Sequence, residues 1–353
     1  LQFQIKAGEY MSAILLIPIY EPTENTVFFI NQLAQSVNVP IIIVDDGSGK
    51  TYQKLFQRME HPNITKISYF DNKGKGYALK FGFSVILDSY PDITGVVTAD
   101  SDGQHEIEDI QKMLVAVDRL AGQEFLLGVR DFSYENTPFR SYFGNRMTSG
   151  FYYLSSGIHL QDTQTGLRGF SISSLSELLK IEGNRFEYEI NQLLVLPKIG
   201  YRMTTIPIKT IYSDGNKGSH FRIFQDSYLV YRPFIRFFFS SISSSLVDIG
   251  LFYSIIFFIG NHTMASLLIA TILSRVLSGI FNYQMNRHYV FRKQRAHTAF
   301  YKYSLLFLFQ LILSWLSVSI LSVIIQSLLL CKAVVDILLF FVSFSIQRRI
   351  VFC

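Results

Sequence analysis

Cysteine is almost missing from this 353-residue chain: Cys331 and Cys353 are the only two, so no disulfide framework holds it together. A leader is not visible either, because the apolar run at 13–17 is short and Pro18 ends it; Met11 reads as a natural start, with the ten residues before it as an extension. Acidic residues are scarce in one part only. Residues 231–353 carry 2 Asp/Glu against 11 Lys/Arg, while residues 1–230 carry 25 against 21. The net charge of +5 therefore comes from an apolar segment, and no nucleic-acid partner is expected from it. Charged residues make up 17% of the chain and hydrophobic ones 49%, which with its length points to two domains, one of them not purely soluble.

That apolar segment holds four runs of membrane length, at 234–259, 264–283, 303–326 and 327–346, each near the ~20 residues that cross a bilayer. Four such runs in succession leave no polar face, which excludes buried helices of a soluble core. The loop at 260–262 has no fixed charge, residues 287–302 carry five Lys/Arg and no acid, Arg348 and Arg349 stand near the end, and Arg232 and Arg236 flank the first run. By the positive-inside rule the chain is a multi-pass cell-membrane protein with both termini and the N-terminal domain cytoplasmic. The aromatic and arginine-rich stretch FRIFQDSYLVYRPFIRFF suits the headgroup level, and 221–233 is assigned as a juxtamembrane interfacial segment. An ionised side chain near the bilayer centre costs about 2.5–3.5 kcal/mol on insertion scales, so Asp248, Arg275, Lys332 and Asp336 are expected to pair. Arg275 and Asp336 are expected at a helix–helix or subunit contact; Lys332 and Asp336 share a helix face. The second and fourth runs end alike, in YQMNRHYVF (283–291) and FSIQRRIVF (344–352), 61 residues apart, as two duplicated hairpins would. The N/Q-R-x-x-V-F ending resembles the small four-helix GtrA-like membrane family, which would make 234–353 a GtrA-like transmembrane domain.

Residues 11–230 alternate strand-like and helix-like segments, the pattern of a mostly parallel α/β sheet with helices on both faces. Functional groups in such folds gather at the carboxyl ends of strands. Those ends carry IPIYE (17–21), DDGS (45–48), ADSDGQH (99–105) and Arg130. In GVVTADSDGQH, Asp100 and Asp102 share one side of an extended segment, with Gln104 on that side too. Like charges so close repel unless a hard cation with oxygen ligands sits between them. Taken alone, the tripeptide fits a polar strand-to-loop exit equally well. NKGKGYALK lacks P-loop spacing, yet its glycines permit close backbone approach, and Lys75 and Lys80 can meet a diphosphate at the helix start.

As an ordered series, IPIYEP, VDDGS, NKGKGYA, ADSDGQH, GVR, DTQTGLRGF and SDGNKGSHF resemble the family 2 glycosyltransferases, and most of all the dolichyl-phosphate mannose and bactoprenol-phosphate sugar synthases. The resemblance implies a Rossmann-like GT-A domain over 11–220. It implies that Pro18, Tyr20, Glu21, Asp45 and Asp46 hold the nucleoside and Lys75 approaches the diphosphate. Asp100, Asp102 and Gln104 would carry Mg2+ or Mn2+. Arg130 and Arg140 would meet the acceptor phosphate, Asp162, Gln164, Thr165 and Arg168 would shape an acceptor loop, and Ser219 and His220 would close over the site. Two features depart from the family pattern: Pro22 directly follows Glu21, and the Arg130–Arg140 loop is short.

The activity implied is inverting transfer of a sugar from a nucleotide sugar, a UDP-sugar before GDP-mannose, to undecaprenyl or dolichyl phosphate. The polyprenyl tail would explain the membrane spans, which would also join copies into a homo-oligomer. A processive polysaccharide synthase would carry Q-x-x-R-W after its catalytic core; the only tryptophan, Trp315, lies inside the third apolar run. A lipid-linked-sugar transporter with an accessory transferase domain is the rival from another class.

Overall fold

The computed structural model describes residues 12–120, 122–130, 139–209, 223–260, 263–292, 298–325 and 327–352. Arg140 lies outside the residues whose side chains are described, and Ser219 and His220 lie outside the described residues. The chain divides into two compact units, Leu1–Tyr152 with Ile158–Val230, and Tyr153–Gly157 with Tyr231–Cys353.

In the first unit the strands and helices alternate as β1 (Ala13–Ile19), α1 (Glu24–Ser36), β2 (Ile41–Asp45), α2 (Gln53–Gln57), β3 (Ile64–Ser68), α3 (Lys75–Ser89), β4 (Gly95–Thr98), α4 (Ile107–Val117) and β5 (Glu124–Arg130). They continue with α5 (Phe139–Ser156), whose residues up to Tyr152 belong to this unit, then β6 (Arg168–Ser171), α6 (Leu175–Lys180), α7 (Glu187–Val195) and β7 (Arg202–Ile208). The seven strands form one sheet in the order β3-β2-β1-β4-β6-β5-β7. β6 runs antiparallel to both neighbours, and every other pair is parallel.

The apolar run at β1 is continuous because helices cover both faces of the sheet. Alternate residues divide between two layers: Leu15, Ile17 and Ile19 pack with Ile30 and Leu33 of α1 and Met113 of α4, while Ile14 and Leu16 pack with Phe83 and Ile86 of α3 and Leu178 of α6. Thr23 starts α1 in a capping box, accepting from the Thr26 N–H while the Thr26 hydroxyl accepts from the Thr23 N–H at 3.1 Å. Strand order reverses around β1, whose neighbours β2 and β4 continue to opposite sides, so a crevice opens at the carboxyl ends of these three strands.

The antiparallel course of β6 decides the site. Thr98 at the end of β4 and Leu127 of β5 both pair with Arg168, the first residue of β6. The loop that leads into β6 therefore lies beside the carboxyl ends of β4 and β5, although some 60 residues separate it from the end of β4.

The second unit holds four helices long and apolar enough to cross a membrane, within α8 (Ile223–Ile259), α9 (Met264–Met285), α10 (Ala299–Ile324) and α11 (Leu328–Ile346). From Ile223 onward the segment expected to be interfacial is the first part of α8, which continues through Pro233. α9 and α11 run past their expected ends into π-helical turns, Asn286–Val290 and Gln347–Val351.

These two turns are the repeated sequence endings, and they pack against each other. Asn286 Nδ2 donates to Gln347 Oε1 at 2.9 Å, between residues 61 apart. Phe291 and Phe352, also 61 apart, stack at 5.1 Å. Within each copy the amide reaches back one turn: Asn286 to Asn282 at 2.8 Å, Gln347 to the Ser343 hydroxyl at 3.0 Å. Tyr283 meets Phe352 and Phe291 meets Phe344, the same contact made twice with the halves exchanged. Equivalent residues in contact are the mark of a local two-fold relation.

The charged residues in the spans pair within neighbouring turns or helices. Arg275 Nε lies 3.3 Å from Asp248 Oδ2, and the Ser278 hydroxyl donates to Asp248 Oδ1 at 3.1 Å. Lys332 pairs with Asp336 one turn on. Arg275 and Asp336 stay 59% and 53% exposed on the single chain, so contacts inside it cover only half of each.

If the Asn286–Gln347 bond ties the halves together, Asn286→Ala and Gln347→Ala should be non-additive. We expect a coupling of about 0.6–1.7 kcal/mol, the range for hydrogen bonds between membrane helices. Thermal unfolding of the detergent-solubilised single and double variants measures it, and strict additivity would show the two turns to be independent.

Candidate functional site

Three groups of polar residues meet at the carboxyl ends of the strands. The first follows β1 and β2. Pro18 is buried in β1, and Tyr20 and Glu21 leave its end. Glu21 takes φ +49°, and its N–H donates to the Ser48 hydroxyl at 2.8 Å. A left-handed glutamate held by a specific bond is backbone strain of the kind that gathers at ligand sites. Asp45 Oδ1 accepts from the Ser48 N–H at 2.8 Å and closes the turn. Gly47 sits at φ +68° with the backbone of Asp71 and Asn72 against it, so no Cβ fits there.

Asp46 is buried more deeply. It is 3% exposed, and its carboxylate accepts from the Tyr69 hydroxyl at 2.6 Å, Asn72 Nδ2 at 3.1 Å, and the backbone N–H groups of Lys73 and Gly74 at 2.9 Å. The sequence series assigned it to the nucleoside. In the folded chain it anchors the loop before α3, while Asp45 beside it is half-buried and closes the turn at Ser48.

The second group surrounds Asp100. Gly74 ends the anchored loop, and Lys75 begins α3. Lys75 Nζ lies 2.6 Å from Asp100 Oδ1 and 2.9 Å from Glu189 Oε2, while His105 Nε2 lies 3.4 Å from Asp100 Oδ2. Burial alone would raise the Asp100 pKa; Lys75 and His105 more than reverse this and hold the carboxyl well below its usual range. Burial first, and the Asp100 charge second, push Asp102 the other way. Burial alone would lower the Lys75 pKa, but Asp100 and then Glu189 outweigh it, so the ammonium stays charged. Asp102 Oδ1 accepts from the Gln104 N–H at 3.1 Å, in a turn where Gly103 takes φ +76°. Lys80 is turned away to Asn184 Oδ1 at 2.9 Å.

The third group is the loop into β6. Asp162 is fully buried and holds Arg130 by two side-chain bonds, from Nε at 2.7 Å and Nη2 at 3.0 Å; it also accepts from the Gln164 N–H at 2.9 Å. Gln164 Nε2 donates to the Thr148 hydroxyl of α5 at 3.2 Å, and the Thr165 hydroxyl accepts from the Leu167 N–H at 3.2 Å. Arg168 is 1% exposed: Nε donates to the Thr165 carbonyl at 3.0 Å, and Nη1 to the Glu189 carbonyl at 2.6 Å and to Gln192 Oε1 at 2.8 Å. It is an internal brace of the loop and no surface ion pair. The loop meets the second group at Gly166, where a Cβ would stand 2.6 Å from Asp100 Oδ2, and at the Gly166 carbonyl, which accepts from the Thr98 hydroxyl at 2.9 Å.

Sequence reasoning missed Glu189, Gly166 and His105. His105 and Gly166 stand inside motifs already singled out, and the small residue required beside a carboxylate was the available signal for Gly166. Nothing in EYEINQLLV separates Glu189 from any acid in the first turn of a helix.

Among the described residues no three His, Cys, Asp or Glu side chains converge as a ready metal site. Asp100 and Asp102, with one residue between them, nevertheless offer hard carboxylate oxygens of the kind Mg2+ or Mn2+ takes. Burial first and the Asp100 charge second lift the Asp102 pKa, and a divalent cation there would relieve the second. The residues fit the ion.

Comparison with known proteins gives two family matches. Residues 15–179 match Glycosyl transferase family 2, and residues 221–352 match the GtrA/DPMS transmembrane domain. Among curated relatives, the chain is 30% identical over 218 residues to the UDP-N-acetylglucosamine–dolichyl-phosphate N-acetylglucosaminyltransferase of Methanococcus voltae, covering 57% of this chain and 86% of that one. It is 24% identical over 212 residues to the polyprenol monophosphomannose synthase of Mycolicibacterium smegmatis, covering 55% and 76%. It is 24% identical over 210 residues to the undecaprenyl-phosphate mannosyltransferase of Micrococcus luteus, covering 56% and 83%.

Removing the Asp46 carboxylate orphans buried backbone donors, at about 1–3 kcal/mol for each group left unsatisfied. Asp46→Ala should therefore lower the midpoint of thermal unfolding clearly, and Asp45→Ala much less. Equal shifts would mean that Asp46 does not anchor the loop.

Proposed function

Because the chain belongs to the family 2 glycosyltransferases and carries a GtrA/DPMS transmembrane domain, we propose that it transfers one sugar from a nucleotide sugar to a polyprenyl phosphate at the cytoplasmic membrane face. The observation that carries the proposal is the antiparallel placement of β6, which sets the Arg130–Asp162 pair and the 162–168 loop beside the Asp100 cluster. Donor and acceptor groups then share one crevice. On the likeness to the M. voltae relative we take the donor as a UDP-sugar.

We assign the nucleoside to the turn of Tyr20, Glu21 and Asp45, with Pro18 beneath it and Asp46 acting through the loop it anchors. Lys75 stands where the donor diphosphate meets the start of α3. Asp100, Asp102 and Gln104 would hold Mg2+ or Mn2+, which supplies Lewis-acid neutralisation of the leaving diphosphate. Arg130 is assigned to the acceptor phosphate: it stands at the end of β5, 13% exposed, with its plane set by Asp162. Asp162, Gln164, Thr165 and Arg168 shape the wall on that side, and Arg140, Ser219 and His220 are further candidates. The acceptor oxygen is already anionic near neutral pH, so it needs orientation and no general base. It attacks the anomeric carbon opposite the diphosphate; a carbon–oxygen bond forms as the bond to the diphosphate breaks, and the configuration inverts. The exposure of Arg275, Lys332 and Asp336 on the single chain favours packing of the spans against a second copy.

A panel of radiolabelled UDP-glucose, UDP-N-acetylglucosamine, UDP-galactose and GDP-mannose, incubated with undecaprenyl or dolichyl phosphate, tests the activity. Label should enter the lipid phase as a monosaccharide; label in a growing polymer, or in no lipid at all, would sink the assignment. Asp102→Asn should nearly abolish transfer with the fold intact, and EDTA should do so reversibly. Full activity in chelator would remove the metal. Arg130→Ala alone leaves Asp162 buried and unpaired, at about 3–5 kcal/mol, so it confounds folding with function. The double variant Arg130→Gln with Asp162→Asn keeps the pair neutral. It should bind UDP normally and lose transfer; if calorimetry shows UDP binding lost instead, Arg130 belongs to the donor side.

A further inference from the structure

Lys75 has two carboxylate partners, and the sequence series accounts for one. Its ammonium, 16% exposed, bridges Asp100 at 2.6 Å and Glu189 at 2.9 Å. Glu189 is 8% exposed and sits in the first turn of α7. Its backbone is fixed: the carbonyl accepts from buried Arg168 at 2.6 Å, and the neighbouring Tyr188 packs where a Cβ on Gly76 of α3 would stand. Glu189 is therefore a rigid acceptor and Lys75 a flexible donor between two acceptors.

We infer that Glu189 is the standing counter-ion of Lys75 and that it sets how tightly Asp100 and Asp102 take a divalent cation. The inference rests on the metal assignment above and extends it to a residue outside the ligand set. Lys75 and a cation compete for the same Asp100 carboxylate. With Glu189 in place, Lys75 can give up Asp100 and keep one ionic partner inside a buried site, then face the donor diphosphate from the start of α3. Without Glu189, leaving Asp100 would strand a buried ammonium, so Lys75 stays on Asp100 and keeps the cation out. Glu189 is a positioning residue here, acting through Lys75.

Binding of Mn2+ alone to the full-length, detergent-solubilised chain, followed by electron paramagnetic resonance, tests this without turnover. Glu189→Gln, close in size, should weaken Mn2+ binding about tenfold or more, as loss of a supporting partner does at metal sites. Glu189→Asp should recover part of it. Lys75→Met removes the competitor and should bind Mn2+ at least as tightly as the parent. Adding Glu189→Gln to Lys75→Met should then change little. In the assay, Glu189→Gln should raise the Mn2+ concentration for half-maximal rate while kcat returns at saturating metal. Equal weakening by Glu189→Gln in both backgrounds would overturn the inference, since Glu189 would then attract the cation by its charge alone; so would no weakening at all. If Glu189→Gln does not fold, Lys75→Met decides by itself, because weaker Mn2+ binding in it removes the competition. A parent chain that binds no Mn2+ would overturn the metal assignment and the inference together, whereas a parent that binds with additive variants overturns the inference only.

Discussion

A carboxylate withdrawn in part from water has to be compensated, and the half-buried Asp100 carboxylate sets that demand for everything around it. It lies at the end of a central strand, beside a second carboxylate two residues on. Lys75 answers with a full charge, His105 adds to the same side of the balance, and Gly166 keeps the 162–168 loop small enough to close against it. Glu189 then enters because Lys75 is withdrawn in part from water too, and Arg168 enters because the helix that carries Glu189 must be held to the strand. Each partner is explained by the one before it. A site built in this way holds more carboxylates than ammonium groups, so Lys75 can exchange one carboxylate partner for the other at less cost than finding a new one.

Sheet topology brings these partners into reach. An all-parallel sheet would place the start of β6 at the far edge, away from the carboxyl ends of β4 and β5. One reversed strand puts Arg168, Gly166 and Asp162 at the crevice and pairs Asp162 with Arg130. The same reversal converts a stretch of loop into a wall braced from inside by a fully buried arginine.

The membrane unit meets a related demand by duplication. Its polar groups lie where the two copies touch, with Asn286 against Gln347 and Phe291 against Phe352, so each half satisfies the other's amide. In hydrocarbon the backbone and side-chain polar groups find no water, and partners have to come from the protein. The Arg275–Asp248 and Lys332–Asp336 pairs follow the same rule with charge in place of amide.

Much of this is legible in the sequence because it is periodic or local. A buried strand at β1 covered on both faces, four apolar runs of bilayer length and the repeated N/Q-R-x-x-V-F ending are all patterns along the chain, and each became the expected element. The direction of β6 was not legible, since four residues of RGFS carry no sign of which way they run. Nor was the anchoring of the loop before α3 by Asp46, whose partners Tyr69, Lys73 and Gly74 stand far along the chain from it. Glu189 was hidden most completely, because an acid in the first turn of a helix looks the same whether it faces water or a buried lysine. The sequence by itself determined the main elements, their apolar faces and which polar residues stand at the strand ends. Which charge answers which was decided only in the tertiary structure, because a buried ion pair depends on separation in space, and residues 75, 100 and 189 become neighbours only when the sheet has formed.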